Sequence, residues 1–396
     1  MLCFIDHDDG REPAGRGVEQ VLDELEREIG EPDPGRLRHE RVARGARRPQ
    51  EGEGGDHGED GGAAGLEALR GSLAELGYKQ QFERRWTGFS NFAISFSIIC
   101  ILAGGINSLG QGIAGVGGAA IGIGWPLGCM VSLVFALGMA QIASAYPTAG
   151  GLYHWGSILG GRALGWVTAW FNLIGLTTVL AAINVGTYLF FVNALGPSLG
   201  LDLDALLPAS PTAYSITVQT IVVGLITISH GLINHLGIRL TSKLTDFSGY
   251  LILFGSVALT VALLIAAPHL DFSRLVTFTN NSGDAGGGVW PQTNNLVYLF
   301  LLGLLLPAYT ITGFDASAHT AEETINAART VPKGMTHSVL WSGVFGWIML
   351  CSIILAAPDL TEAASKGGAQ FFFITDQVLP GPVKLALYLV IFVAQY

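Results

Sequence analysis

Apolar segments long enough to cross a lipid bilayer follow one another along the chain from Trp86 onward. A membrane-spanning α-helix needs roughly 20 predominantly apolar residues, within a range of roughly 17–25. Seven segments reach that length, and they lie at residues 89–112, 123–143, 164–195, 213–233, 247–267, 296–319 and 335–357. An eighth begins near Val383, and too few residues follow it to cross a bilayer. The pattern predicts an all-α, polytopic transmembrane helix bundle, truncated in the eighth helix.

The chain before Trp86 has a different pattern. Residues 1–65 are polar, rich in glycine and poor in aromatic side chains. Such a composition buries too little apolar surface to fold, so we predict a disordered N-terminal extension. Leucines then recur at helical spacing, which predicts an amphipathic cytoplasmic helix over residues 66–85. The transmembrane domain is expected to cover residues 86–396 and to be incomplete at its C-terminus.

Composition and charge agree with a membrane protein and suggest its orientation. Half of the residues are hydrophobic and only 13% are charged, whereas about a quarter are charged in an ordinary soluble domain. Short cytoplasmic loops of membrane proteins accumulate Lys and Arg. In this chain alternate connections hold most of the basic residues near the spans, namely Arg84, Arg85, Arg162, Arg239, Lys243, Arg329 and Lys333. We therefore predict a multi-pass protein of the plasma membrane with a cytoplasmic N-terminus.

Two of the predicted spans contain residues that favour a break in the helix. The first span has Ala103, Gly104 and Gly105 near its middle, and the sixth has a polar, glycine-containing patch from Thr310 to Asp315. Irregular backbone at membrane depth survives only beside protein or water. The two breaks are five helices apart, which is the arrangement expected from two inverted repeats of five helices.

A broken span can bind a small zwitterion without a buried fixed charge. The N-terminus of a half-helix offers free N–H groups and a positive dipole end to a carboxylate, and freed carbonyl groups can accept hydrogen bonds from an ammonium. Gly104 and Gly105 could instead serve close helix packing through small residues. Tyr309 could close over a substrate or simply pack. Asp315 could be a functional acid whose partner the sequence does not identify, or it could cap the restarted half-helix.

Residues near Asp315 leave two further interpretations open. His319, Glu322 and Glu323 follow it at helical spacing. They could form a proton relay, or they could be a solvated face beside Arg329 and Lys333.

Three stretches of the sequence resemble the amino acid–polyamine–organocation permeases, and in particular their branch of GABA, choline and other amino acid permeases. These stretches are residues 89–97 entering the first span, 145–153 after the second and 309–323 in the sixth. The resemblance covers about residues 66–396. It implies the leucine-transporter type of fold with two inverted repeats, and secondary transport by alternating access.

The resemblance also implies a binding site at the broken first and sixth helices. Its substrate would be an amino acid or a related amine such as GABA. The coupling ion, proton or sodium, stays undetermined, and no cofactor or metal is implied. The substrate-binding positions that match are Ala103, Gly104, Gly105, Ile106, Tyr309, Ile311, Thr312, Gly313, Phe314 and Asp315.

Other classes of function receive less support from the sequence. It contains no nucleophile–base motif and no H-E-x-x-H motif, so we do not expect an enzyme. The expected partners are a small-molecule substrate and the lipid bilayer, without nucleic acid. The alternative function is a non-transporting membrane sensor, or an inactive truncated fragment of a permease.

Overall fold

The computed structural model describes residues 84–200 and 211–396, which all belong to one compact unit that spans Gly61–Tyr396. The predicted disordered extension at 1–65, and nearly all of the predicted amphipathic helix at 66–85, lie outside the described residues. The described residues therefore cover most of the predicted transmembrane domain.

The first span consists of consecutive helical pieces. Helix α1 covers Gly88–Ile99, α2 covers Ile101–Asn107 and α3 covers Leu109–Val116. Thr87 caps the start of α1, because its side chain accepts a hydrogen bond from the Ser90 amide at 3.2 Å. Such a cap satisfies one of the donors that the first turn of a helix leaves unpaired.

Four long helices follow. A π-helical turn at Ala120–Gly124 leads into α4, Trp125–Ala145, and α5 covers Gly151–Phe190 with non-helical backbone at Gly161. A second π-helical turn, Phe191–Leu195, extends α5. Helix α6 covers Pro211–His235 and α7 covers Ile238–Ala266. The third span therefore begins earlier than predicted and includes a glycine kink.

The sixth span is short and interrupted. Helix α8 covers Leu296–Gly303, α9 covers Leu305–Thr310 and α10 covers only Ala316–His319. Helix α11 is long and continuous from Ala327 to Ala356. Three further helices complete the described chain, and they are α12 at Leu360–Ser365, α13 at Gln370–Val378 and α14 at Gly381–Gln395.

Six helical segments of the described chain are long and apolar enough to cross a membrane. They are Gly88–Asn107, Ala120–Ala145, Gly151–Ser198, Ile216–His235, Leu240–Ala266 and Ala327–Ala356. The segments Leu296–Thr310 and Gly381–Gln395 are apolar but shorter. Each segment corresponds to one of the predicted spans, and the described residues form no β-sheet. The prediction of an all-α, multi-pass helix bundle is therefore confirmed.

The core lies where α11 crosses the other spans. Helix α11 packs against α4, α1 and α7, and its inward face is fully buried. Trp125 at the start of α4 is completely buried, and its indole donates a hydrogen bond of 2.9 Å to the carbonyl of Gly343 on α11. Burial of so large an aromatic side chain, with its one polar atom satisfied, makes this contact a strong anchor.

The connections between spans form two separate groups. In one group, the amides of Arg85 and Trp86 donate to the carbonyl of Glu323 at 2.8 and 2.9 Å. In the other, the amide of Thr279 donates to Val116 at 3.2 Å, and the Trp290 indole donates to Gln111 at 2.8 Å. Connections that the basic-residue pattern assigns to the same side of the membrane thus contact one another.

Candidate functional site

The first span is interrupted at Cys100. This residue has φ 34° and ψ 77°, in the left-handed region that residues other than glycine rarely adopt. Helix α1 ends there, since the Cys100 amide donates to Phe96 at 3.1 Å, and α2 begins at the next residue. The break therefore precedes the predicted position at Ala103, Gly104 and Gly105, which are helical in α2.

The glycines of α2 serve close packing, which explains why the helix continues through them. A Cβ atom added at Gly104 would lie 2.9 Å from Thr310 Cγ2, and one added at Gly105 would lie 3.4 Å from Leu350 and Met349 side-chain atoms. The two glycines thus face neighbours on α9 and α11 respectively. The break at Cys100 makes Ile101 the first residue of a new helix. The first N–H groups of α2 therefore have no acceptor within their own helix.

The second interruption lies where the sequence predicts it, after Thr310. Ile311 ends the helix with φ −88° and ψ 62°, and Gly313 has φ 79°. A Cβ atom at Gly313 would overlap Ile98 Cγ2 of α1. Glycine is therefore required at this position by backbone conformation and by the approach of α1 together.

The two interrupted spans meet at Gly104 and Thr310. Ser108 Oγ donates to the carbonyl of Gly104 and lies 3.3 Å from Thr310 Oγ1, which in turn donates to Leu306 at 2.9 Å. The middle and the C-terminal end of α2 are thereby in contact with Thr310 at the end of α9, directly before the unwound segment. This is the pair of features from which the sequence predicted a binding site.

A buried polar network joins α1 to α10 on the other side of both breaks. The Asn91 amide nitrogen lies 2.9 Å from the Ser317 carbonyl, 3.0 Å from Thr320 Oγ1 and 3.2 Å from Thr324 Oγ1. Ser95 Oγ donates to the Phe314 carbonyl at 2.8 Å and accepts from the Ser317 amide at 3.0 Å. Buried hydrogen bonds of this kind hold two short helices in one fixed arrangement.

Asp315 stands directly before α10, but its side chain makes no capping hydrogen bond. Its carboxylate instead lies 3.4 Å from His319 Nε2, an ion pair when the imidazole is protonated. The Asp315 side chain is 16% exposed, so the pair is largely shielded from solvent. The structure thus favours a partner for Asp315 within α10 over the capping role.

Glu322 and Glu323 are not a solvated face. Glu322 is 8% exposed, and its Oε1 accepts a hydrogen bond of 3.4 Å from the Ala149 amide. Burial raises the pKa of the half-buried Glu323 above its usual range, and the neighbouring charge of Glu322 adds to the shift. Neither acid pairs with Arg329 or Lys333 in the described chain.

The other predicted site residues divide between the core and the junction of the two breaks. Ala103, Ile106 and Ile311 are at most 3% exposed and belong to the main core. Tyr309, Thr312 and Phe314 are partly exposed, and Phe314 packs against both the main core and the smaller core near α10. All ten predicted residues therefore lie on α2 or within 309–315.

One polar residue beside the first break was missed by the sequence analysis. Gln395 on α14 is 5% exposed, and its Oε1 and Nε2 have no hydrogen-bond partner among the described residues. The preceding residue, Ala394, accepts a weak hydrogen bond of 3.8 Å from Cys100 Sγ. A single glutamine in an apolar run carries no periodic signal, so only the structure identifies it.

Metal binding receives no support from this geometry. Within residues 84–200 and 211–396, no group of three His, Cys, Asp or Glu side chains lies close enough to hold a metal ion. Apart from the Asp315 carboxylate and its partner His319, the polar groups described around the two breaks are backbone N–H and C=O groups, hydroxyls and amides. Such groups suit a small polar ligand that brings its own opposite charges.

Comparisons with known proteins give a consistent result. The family model described as amino acid permease matches residues 87–395. Similar proteins include the amino-acid permease BAT1 of Arabidopsis thaliana, 35% identical over 317 residues, or 76% of this chain and 59% of that protein. The GABA-specific permease of Saccharomyces cerevisiae is 29% identical over 318 residues, which are 78% of this chain and 52% of that protein. The chain thus spans about half to three fifths of the length of these curated relatives.

Proposed function

The chain belongs to the amino acid permease family, and from that premise we propose that it carries amino acids or related amines such as GABA across the plasma membrane by alternating access. The family match confirms the resemblance predicted from residues 89–97, 145–153 and 309–323. The chain is a multi-pass membrane protein of a transporter family. In the proposed orientation its N-terminus is cytoplasmic.

The observation that carries this proposal is the close approach of the two breaks, since Gly313 of the unwound segment lies against Ile98, two residues before the break at Cys100. We propose that the substrate carboxylate binds the N-terminal N–H groups of α2, where the helix dipole favours a negative charge. The ammonium group would face carbonyl groups of residues 311–314, which lie between α9 and α10 and so belong to neither helix. Both charges of a zwitterion are then matched by dipoles, so the empty site holds no unpaired buried ion.

The substrate side chain would lie among groups that differ from the shared carboxylate and ammonium site. Tyr309 and Phe314 are the partly exposed aromatic residues of the second break. Gln395 follows the residue whose carbonyl Cys100 contacts, and its buried amide has no hydrogen-bond partner among the described residues. We propose that these three side chains set which amino acid or amine is accepted, because a polar group left unpaired in a dry pocket is costly.

Uptake of radiolabelled amino acids into proteoliposomes tests the proposed function. The panel includes GABA, and the measurement uses this chain and, where the reading frame of its gene continues, the extended chain. We expect saturable uptake that an excess of the same unlabelled amino acid inhibits. Saturable binding without uptake by either form would favour the sensor, and neither binding nor uptake of any amino acid would contradict the proposal.

Replacement of Gly104 by leucine is expected to reduce uptake about fivefold or more while the protein still inserts in the membrane. A Cβ atom added at residue 104 would lie only 2.9 Å from Thr310 Cγ2 and 3.3 Å from Thr310 Cα. The larger leucine side chain must therefore push α2 away from α9. Overpacking of this kind costs about 1–3 kcal/mol, and about 1.4 kcal/mol corresponds to a tenfold change.

The matched control is Gly138→Leu on α4, where an added Cβ atom meets no neighbour within 4 Å. This variant is expected to transport like the parent. Normal uptake by Gly104→Leu, with the protein level of the two variants equal, would remove the α2–α9 contact from the proposed site.

A further inference from the structure

A cleft of about 230 Å³ lies between the start of α1 and the first turns of α11, outside the site described above. Its wall includes Gly88 and Phe92 from α1, and Arg329, Thr330, Lys333 and His337 from α11. A Cβ atom added at Gly88 would lie 3.8 Å from Thr330 Cγ2, so the two helices nearly touch at the base of the cleft. The cleft opens at the end of the bundle where Trp86 pairs with Thr324.

The cations of the cleft lack partners within the described chain. Arg329, Lys333 and His337 follow one another at intervals of four residues, so they occupy one face of α11. All three are exposed, and none of them makes an ion pair or a side-chain hydrogen bond with another described residue. Lys366 and Lys384, by contrast, pair with Glu362 and Asp376 at 3.5 and 2.7 Å.

The same face of α11 becomes apolar immediately beyond His337. The next exposed side chains at helical spacing are Leu340, Trp341, Val344 and Ile348, which are 44%, 46%, 39% and 46% exposed. Since α11 is long and apolar enough to cross a membrane, this stripe is available to lipid chains. One face of a single helix thus carries a cationic end and an apolar continuation.

On the α1 side the cleft has an aromatic wall. Phe92 lies between Phe89 and Phe96, with ring centroids 6.1 and 5.2 Å away, and Phe89 stacks on Tyr250 of α7 at 4.6 Å. Tyrosine is enriched at the level of lipid headgroups, and Tyr250 stands beside this wall through its stacking on Phe89. The cleft therefore joins a cationic surface to a surface suited to the membrane interface.

We propose that this cleft binds the phosphate headgroup of an anionic phospholipid, with an acyl chain along Leu340, Trp341, Val344 and Ile348. Arginine can donate two parallel hydrogen bonds to a phosphate, and lysine adds a compact positive charge. In this arrangement the cleft of about 230 Å³ holds the headgroup, and the acyl chain lies outside it along α11. A headgroup bound there would tie the start of α1 to α11.

Lipid retention by the purified full chain tests the proposal. Native mass spectrometry in a mild detergent would compare phosphatidylglycerol with phosphatidylcholine of equal acyl length, and glycerol phosphate would serve as a headgroup without chains. We expect preferential binding of phosphatidylglycerol to the parent. The variant with both Arg329→Gln and Lys333→Gln should lose about thirtyfold in affinity, about fivefold for each cation.

The matched control is Arg162→Gln, which removes an exposed cation that does not line the cleft. Its affinity for phosphatidylglycerol should stay within about twofold of the parent's, whereas the loss of one cleft cation is expected to lower that affinity about fivefold. If the double variant aggregates, Lys333→Gln alone should still lose about fivefold.

Three outcomes would overturn the proposal. They are equal binding of the two lipids by the parent, an equal loss in the Arg162→Gln control, and binding of glycerol phosphate as tight as that of phosphatidylglycerol. The last outcome would identify a site for a soluble phosphate compound.

Discussion

Replacement of Gly313 by alanine is expected to reduce uptake more than about tenfold, although it adds only one methyl group. Gly313 has φ 79°, where a residue with a side chain costs about 1–2 kcal/mol more than glycine. The added methyl would also overlap Ile98 Cγ2 of α1, and overpacking costs about 1–3 kcal/mol. Relief of either strain must move the unwound segment whose carbonyls we propose to face the substrate ammonium.

The same helical span supplies a matched control. A Cβ atom added at Gly303 would lie 3.5 Å from Ala120 Cβ, an ordinary van der Waals distance, and Gly303 is part of the regular helix α8. Gly303→Ala should therefore insert and transport like the parent. Uptake is measured in proteoliposomes at equal protein content.

A second substitution separates the two causes of the expected loss. Ile98→Ala removes the Cγ2 atom that the new methyl would overlap, and the next Ile98 atom is 3.5 Å away. The pair Gly313→Ala and Ile98→Ala should recover part of the lost uptake, while the backbone strain at residue 313 remains. Parent-like uptake by Gly313→Ala alone would show that the unwound geometry is not needed for transport.

The sequence predicts this second break correctly because the relevant properties are local. From Thr310 to Asp315 a β-branched residue, a glycine and a carboxylate follow an apolar run, and each disfavours a continuous helix. The spans themselves are predictable for a similar reason, since twenty apolar residues in a row have few alternatives to a helix in lipid. Local composition therefore fixes most of the fold.

The first break shows where such reasoning fails. Gly104 and Gly105 suggest an interruption, but their missing side chains allow close contact with Thr310 and Leu350 instead. The interruption occurs at Cys100, a residue type with no particular tendency to break helices. Cys100 bonds to Phe96 in its own helix and to Ala394, which is 294 positions away in the sequence. No local sequence pattern predicts the contact with Ala394.

The hydrogen bonds that join α1 to α10 could not be predicted from the sequence either. Asn91 lies 226 positions from Ser317, and a single asparagine entering an apolar span could equally be a surface residue. In the structure it is completely buried. The candidate site therefore depends on hydrogen bonds between residues far apart in the sequence, which only the folded structure identifies.

Replacement of Asn91 by leucine is expected to uncouple α1 from α10 and to reduce uptake at least about tenfold. The Ser317 carbonyl would lose the donor 2.9 Å away, and the Thr320 and Thr324 hydroxyls would lose a neighbour at 3.0 and 3.2 Å. The Ser317 carbonyl would keep only the Thr320 hydroxyl as a donor, at 3.1 Å, and each lost hydrogen bond costs about 0.5–1.5 kcal/mol. Gly334 adds a steric reason, since it approaches Asn91 so closely that a Cβ atom there would overlap Asn91 Oδ1.

The structural consequence can be measured at Cys100, where α1 ends. In a variant whose only cysteine is Cys100, that thiol is 7% exposed and should react slowly with a maleimide. Asn91→Leu should increase the alkylation rate several-fold, because α1 is no longer held against α10. A control is Asn234→Leu, since Asn234 is exposed and its side chain bonds, within the described part of the chain, only to the His230 carbonyl of its own helix at 2.9 Å.

The combination of the two measurements distinguishes coupling from simple destabilisation. A protein that is merely less stable should show a lower melting temperature, faster alkylation at every buried position and a lower yield. Loss of coupling should raise the alkylation of Cys100 while a variant that retains only Cys129, on α4, reacts as slowly as before. If Asn91→Leu leaves both the uptake and the Cys100 rate unchanged, α1 and α10 do not depend on this network, and the two half-helices act separately in any transport cycle.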